Sequence, residues 1–226
     1  MPTAKPPSAP LLDPDPLSPR RRSGKERFHR AGAPLDARLL HFWQWAYSDI
    51  CDNRVRGLIA EYLVALALDS LGTRREDWDA WDVRTSSGLK VEVSSAAYVQ
   101  SWQQPSPSTI WFDIAPPQVG EVAAQPPRAL ERSADVYVFA LHGHQDKETL
   151  DPLDLAQWQF FVVPTHLLDQ RHPHRKRLGL DSVQRLVVRP VDHAELAREV
   201  ERVAATVARE VHGAPMAPVP ESARID

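Results

Sequence analysis

The stretch Asp82–Val93, DVRTSSGLKVEV, decides how the rest of the chain is read. Its second half alternates strictly, with Leu89, Val91 and Val93 on one side and Lys90, Glu92 and Ser94 on the other. That period of two predicts a strand with one polar face. Ser86, Ser87 and Gly88 are turn material, so the element ending near Asp82 is expected to fold back beside this strand. Pairing would then bring Asp82 close to Glu92. Converging carboxylates are what metal-assisted phosphodiester hydrolysis requires, because one ion binds the phosphate, activates water and stabilises the departing oxygen.

Outward from this hairpin the chain reads as an α/β mixture. Upstream, DARLLHFWQWAY at 36–47 has Leu39, Leu40, Trp43 and Tyr47 spaced for one helical face. Asp52 or Asn53 can cap a second helix through VRGLIAEYLVALALDSLG, with Val55, Leu58, Ile59, Tyr62, Leu63 and Leu66 as its apolar face and Gly72 as its end. Glu61 is the lone charge in the middle of that helix and needs a partner, a cation or a hydrogen-bond donor. Arg54 and Arg56 are alternatives for a structural ion pair. Downstream, IWFDI at 110–114 alternates, while DVYVFAL at 135–141 and WQFFVV at 158–163 are continuous apolar runs that predict central strands. Thr165 is expected to cap a short helix, QRLVV at 184–188 to form a further strand, and Asp192 to begin an amphipathic C-terminal helix.

The chain has 226 residues and is 42% hydrophobic, enough for one domain with a real core. Prolines crowd the ends and the stretch 105–127. The expected organisation is a basic, disordered, proline-rich arm over 1–34, one domain over 35–211, and a disordered tail over 212–226. Net charge is −3, yet the first 34 residues carry seven Lys/Arg against three Asp/Glu. Such an arm could grip phosphates, or be a solvated tail. Cys51 is the only cysteine, which excludes an internal disulfide or a thiolate zinc cluster and fits a reducing cytoplasm. No apolar run is long enough to span a bilayer, and neither export nor membrane insertion is expected.

Taken together, RGLIAEYLVALAL at 56–68 and WDAWDVRTSSGLKVEVSSAAYVQSW at 78–102 resemble a bacterial branch of the PD-(D/E)XK nuclease superfamily whose corresponding stretch reads like EVKSSAYLQSW. ADVYVFALHG and WQFFVVPT resemble its later core strands, so the likeness runs over about 50–180. The resemblance implies a restriction-endonuclease-like core, a mixed central sheet flanked by helices. It also implies cleavage of DNA with Mg2+ or Mn2+ held by Asp82 and Glu92, aided by the Val93 carbonyl and by Glu61. Expected nucleic-acid contacts are Arg54, Arg56, Gln100, Arg175 and Lys176, with Tyr98 and Trp102 beside them, and a homodimer is a further expectation.

One position departs from the pattern: Ser94 stands where the superfamily has a lysine, and it has no charge to orient the attacking water. Three readings stay open. Lys90, on the same strand face, has taken over the role; the charge is dispensable; or catalysis is lost and a module binding DNA or a protein partner remains. A separate motif, His142, His144 and Asp146, follows the HxHxD order of metallo-β-lactamase-like zinc hydrolases, but Lys147 stands where that family has histidine. A zinc hydrolase is therefore the third alternative. Phosphate-loop, GxSxG, GxGxxG and CxxC motifs are absent, and nothing near Cys51 in sequence would activate it.

Overall fold

The computed structural model describes residues 21–72, 81–115 and 132–211. Most of the basic arm, the Trp/Asp-rich segment 73–80, the proline-rich loop from 116 on and the tail from 212 lie outside the described residues. The chain divides into two compact units, Met1–Ser48 and Asp49–Asp226.

In the first unit, β1 (Arg27–Arg30) and β2 (Ala33–Arg38) form an antiparallel hairpin. Its two turn residues, Ala31 and Gly32, both have positive φ, the two-residue turn whose twist suits paired strands. Residues 27–34, part of the arm in the sequence reading, are thus strand and turn. Helix α1 (Leu39–Tyr47) follows, later than the pattern from Asp36 predicts because Asp36–Arg38 belongs to β2. Its first amides donate to the Glu26 and Gly24 carbonyls. Gly24 has φ +82 and lies so close to Trp43 that a Cβ there would meet the indole at 3.0 Å.

The second unit opens with α2 (Asn53–Ala67), capped by Asp52, whose Oδ1 accepts the amides of Arg54 and Val55. The helix ends at Ala67 and not at Gly72. Asp69 takes the left-handed conformation there, and the Asp69 and Ser70 amides return to the Leu66 and Ala65 carbonyls, which closes the helix before the glycine is reached. Strand β3 (Val83–Arg84) then turns through Gly88, φ +88, into β4 (Lys90–Ala97).

The remaining elements are β5 (Trp111–Asp113), β6 (Val136–His142), β7 (Trp158–Pro164), α3 (Thr165–Arg171), β8 (Arg177–Gly179), α4 (Leu180–Gln184) and α5 (His193–Val211). The main sheet has the order β3-β4-β6-β7 and is mixed: β4 runs parallel to β6, and the other two pairs are antiparallel. A separate antiparallel ribbon joins β5 to β8. The fold is therefore α/β, with a mixed sheet flanked by helices.

Strands β6 and β7 are buried on both faces, which explains their continuous apolar runs. On one face Val138, Phe160 and Val162 pack with Leu63 and Val64 of α2 and Leu196 and Val200 of α5. On the other, Tyr137, Phe139 and Phe161 pack with Phe112, Ile114, Leu168, Leu178 and Val183 from the ribbon, α3 and α4. QRLVV is not a strand. Gln184 ends α4, the Arg185 and Leu186 amides turn back to the Asp181 and Val183 carbonyls, and Val188 is 98% exposed. Thr165 does not cap α3 either: it is the first helical residue, its amide donates to the Asp135 carbonyl, and its buried hydroxyl has no partner. Asp192 does begin α5, accepting the Glu195 amide at 2.9 Å. Among the described residues, no helix is long and apolar enough to cross a membrane.

His142 closes β6, fully buried and stacked on Trp158 at 4.7 Å, with Nε2 3.2 Å from Gln157 Oε1. Burial, reinforced by the charge of Arg56, lowers its pKa from 6.5 to about 4. The folded state thus holds the ring neutral while the unfolded chain protonates it. The stabilisation from this depressed pKa is complete above pH 6.5 and is lost as the pH falls through 4. We expect it to contribute a slope of about 1.4 kcal/mol per pH unit across that window. Urea unfolding of wild type and His142→Phe between pH 4 and 7 checks this; equal pH slopes in the two proteins would remove His142 as the source.

Candidate metal and nuclease site

Two acids come near one another where, among the described residues, β3 no longer pairs with β4. The Asp82 amide donates to the Val91 carbonyl at 3.1 Å, and Asp82 Oδ2 accepts the Val93 amide at 2.8 Å. In a strand the N–H and C=O of one residue point to the same side. The Val93 carbonyl therefore also faces the edge that carries Asp82. Glu92 sits between these backbone groups, half-buried and opposite the fully buried Tyr137 on β6.

Glu92 is in an acidic surrounding. Burial, then the charges of Asp82, Glu61 and Asp113, raise its pKa from 4.5 to about 8. Burial and the Glu92 charge also push the Tyr137 phenol upward. Glu61 and Asp82 thus lie close enough to act on Glu92, as the sequence reading requires. Asp113 and Tyr137 were not in that reading. Alternation in IWFDI does place Asp113 on the polar side of its strand, but the pairing that carries it toward Glu92 is long-range.

Lys90, the alternative source of positive charge, is held elsewhere: its Nζ lies 4.5 Å from the centroid of the Trp81 ring. Its backbone N–H and C=O are both taken by Asp135, at 2.9 Å each. Ser94 shares the Glu92 side of the strand and stands opposite Phe139.

The expected nucleic-acid residues separate into two kinds. Arg54 is exposed at the start of α2, and Arg175 and Lys176 are exposed on the loop between α3 and β8. Arg56 is only 2% exposed. It donates to the Cys51 and Val99 carbonyls, to Asn53 Oδ1 and to Gln100 Oε1. Gln100 is equally committed, its Nε2 donating to the Ala97 carbonyl and Ser108 Oγ. Arg56 and Gln100 therefore tie the start of α2 to the segment after β4. Tyr98 is half-buried and Trp102 exposed.

The HxHxD residues also divide. His142 is in the core, while His144 Nε2 meets Thr149 Oγ1 at 2.7 Å and Asp146 accepts from the Glu148 amide and the Thr149 hydroxyl. Among the described residues, no three His, Cys, Asp or Glu side chains form a metal-holding group. What Asp82 and Glu92 offer is a smaller set, two carboxylates and the Val93 carbonyl. That suits Mg2+, which commonly binds one or two carboxylates and fills its other positions with water and substrate phosphate. The crowding of Glu92 by three other acids is the electrostatic situation that a divalent cation relieves.

Comparison with known protein families gives a match to the family of bacteriophage T4 endonuclease IV over residues 37–175, more than half of the chain. No curated protein sequence matches it.

The structural role of Arg56 is directly testable. Arg56→Ala should lower stability by roughly 2–4 kcal/mol, because buried acceptors lose a charged donor. Arg56→Lys should recover little, since an ammonium cannot reproduce the fork. Arg54→Ala should stay within about 0.5 kcal/mol. Urea melts of the three variants decide it, and an Arg56→Ala protein as stable as wild type would refute the bracing role.

Proposed function

The chain belongs to the bacteriophage T4 endonuclease IV family, a nuclease family, and from that premise we propose that it hydrolyses phosphodiester bonds, in DNA first of all, with Mg2+ or Mn2+ at the open edge of β4. The observation that carries this reading is the 2.8 Å hydrogen bond from the Val93 amide to Asp82 Oδ2, which fixes the first acid beside the second. The helix glutamate Glu61, the hairpin bearing both acids and the mixed sheet behind them are the features on which we read the core as a member of the PD-(D/E)XK superfamily.

In this reading Asp82, Glu92 and the Val93 carbonyl hold the ion, and Glu61 shapes the field around it. Bound there, the ion would supply charge to the phosphate, an activated water and stabilisation of the departing oxygen. Tyr137 and the aromatic side of the sheet close off the floor beneath Glu92, which keeps the carboxylate out of bulk water. Asp82 is oriented by its backbone partner before any ligand arrives, so no rotamer search precedes binding.

Ser94 favours a second reading, a catalytically silent module that binds nucleic acid or a protein partner, because a site without the motif lysine lacks a charge beside the water. The two part in experiment. For the nuclease, Mg2+ or Mn2+ should raise the melting temperature of wild type and not of Asp82→Asn, since only the native site binds the ion. Metal-dependent nicking of plasmid DNA should disappear in Glu92→Ala. Ser94→Lys should raise it by about ten-fold, equivalent to ~1.4 kcal/mol of barrier, unless Lys90 already serves, in which case Lys90→Ala silences the wild type. Folded wild type and Ser94→Lys proteins that are both inert on DNA and RNA with either metal would replace the nuclease with the binding module.

A further inference from the structure

A cleft of about 480 Å³ opens between the β5–β8 ribbon and the loop that leads into β8. That volume is within the range of small-ligand sites, about 300–1,000 Å³. Its lining carries Tyr98 and Trp111 together with His172, Arg175, Arg177 and Arg185, against the single carboxylate of Asp181. Aromatic faces beside arginines suit a ligand that is both planar and anionic.

The cleft is built and not merely a solvated loop. Arg132, buried, donates Nε to the Ile114 carbonyl at 3.0 Å and Nη2 to the His172 and Arg175 carbonyls at 3.2 and 3.3 Å, while Nη1 pairs with Asp169. The Ile114 amide donates to the Lys176 carbonyl at 2.8 Å. These bonds fix the backbone from which Arg175 projects. Trp111, 54% exposed, stands opposite Gly179 in the ribbon, where an added Cβ would touch the indole at 3.8 Å. The ring therefore rests on backbone with its other surface open. Burial and the neighbouring charges of Arg175, Arg132, Arg171 and Arg185 lower the pKa of His172.

The cleft also connects with the strand that carries the acids. A second hollow of about 370 Å³ runs along Ser95, Ala96 and Ala97 of β4 and shares Thr109 and Trp111 with the first. A strand of nucleic acid lying over β4 near Glu92 would pass along this hollow and reach Trp111.

We propose that this cleft is a second nucleic-acid contact, which seats a nucleotide flanking the cleaved bond with its base against Trp111 and its phosphate on Arg175 and Arg185. The identity of the ligand rests on the nuclease reading, but the cleft can be tested apart from it. Binding of a short fluorescein-labelled oligonucleotide of mixed sequence, single-stranded and as a duplex, is followed by anisotropy in EDTA, where no metal-dependent cleavage occurs.

Arg175→Ala/Arg185→Ala should weaken binding at least ten-fold and make the slope of log affinity against log salt shallower by about 0.7–0.9, the loss of one neutralised phosphate. Trp111→Ala should weaken it five-fold or more with the slope unchanged, because stacking releases no counterions, and Trp111→Phe should recover most of the loss. Melting temperatures close to that of wild type establish that the variants are folded. Unchanged affinity and slope in the arginine variant, or a wild type that binds neither oligonucleotide, would overturn the cleft; loss of nicking in Glu92→Ala would still uphold the nuclease in the first case. Weakened binding in the cleft variants with no metal-dependent cleavage by wild type would uphold the cleft and overturn the nuclease.

Discussion

Past Val91, β4 has no strand partner on its β3 side among the described residues, so the amides facing that way need other acceptors. Asp82 supplies one, through the 2.8 Å bond to Val93. The shortness of β3, two residues, therefore does two things at once. It ends the hairpin early enough for a side chain to replace the ladder, and among the described residues it leaves strand backbone without a strand partner beside a carboxylate. A longer β3 would satisfy the same amide with a carbonyl and cover the edge. The site is a consequence of interrupted pairing, held by the rigid strands β6 and β7 behind it.

Burying Glu92 beside other acids has an energetic consequence. A carboxylate whose folded pKa is raised to about 8 contributes stability below its ordinary 4.5 and loses that contribution as the pH rises through 8. At neutral pH the metal-free fold thus holds a proton where the unfolded chain would not. The same low-polarity floor that raises the pKa, Tyr137 and the aromatic cluster behind it, strengthens any charge interaction made above it. The fold accepts an electrostatic cost at the position where the chemistry is proposed, while its surroundings are well packed.

Much of this was legible in the sequence because it depends on local pattern. Alternation gave β4, continuous apolar runs gave β6 and β7, and Asp52 and Asp192 marked the starts of α2 and α5. The expected α2 stripe holds at Val55 and Leu63, but the buried face is turned toward Arg56, Ala60 and Val64. Tyr62 and Leu66 are exposed, whereas Arg56, Ala60, Leu63 and Val64 are buried. Small residues mark the contact: Gly57 and Ala60 let the helix approach the sheet, and a Cβ on Gly57 would lie 3.7 Å from Ser95 Oγ. In that phase an arginine falls on the buried side, so Arg56 braces the fold. The β5–β8 ribbon was not legible as a pair, because its strands are more than sixty residues apart and short, and with it went the approach of Asp113 to Glu92.

The ribbon also resolves the difficulty that a chain of net charge −3 poses for a protein acting on a polyanion. Total charge sets the far field, but what a ligand meets at contact is the local arrangement. Asp113 on β5 faces Arg177 on β8 in register, so this one short element carries a carboxylate whose charge reaches Glu92 and an arginine that lines the basic cleft. Directly opposed residues of an antiparallel pair share one face, so the ribbon sets an acid and a base side by side on rigid backbone. Placing charge locally in this way lets arginines line the cleft while the surroundings of Glu92 stay acidic. It needs no excess of Lys and Arg over the whole chain, only that Arg132 hold the loop and Phe112 and Leu178 hold the ribbon against the sheet.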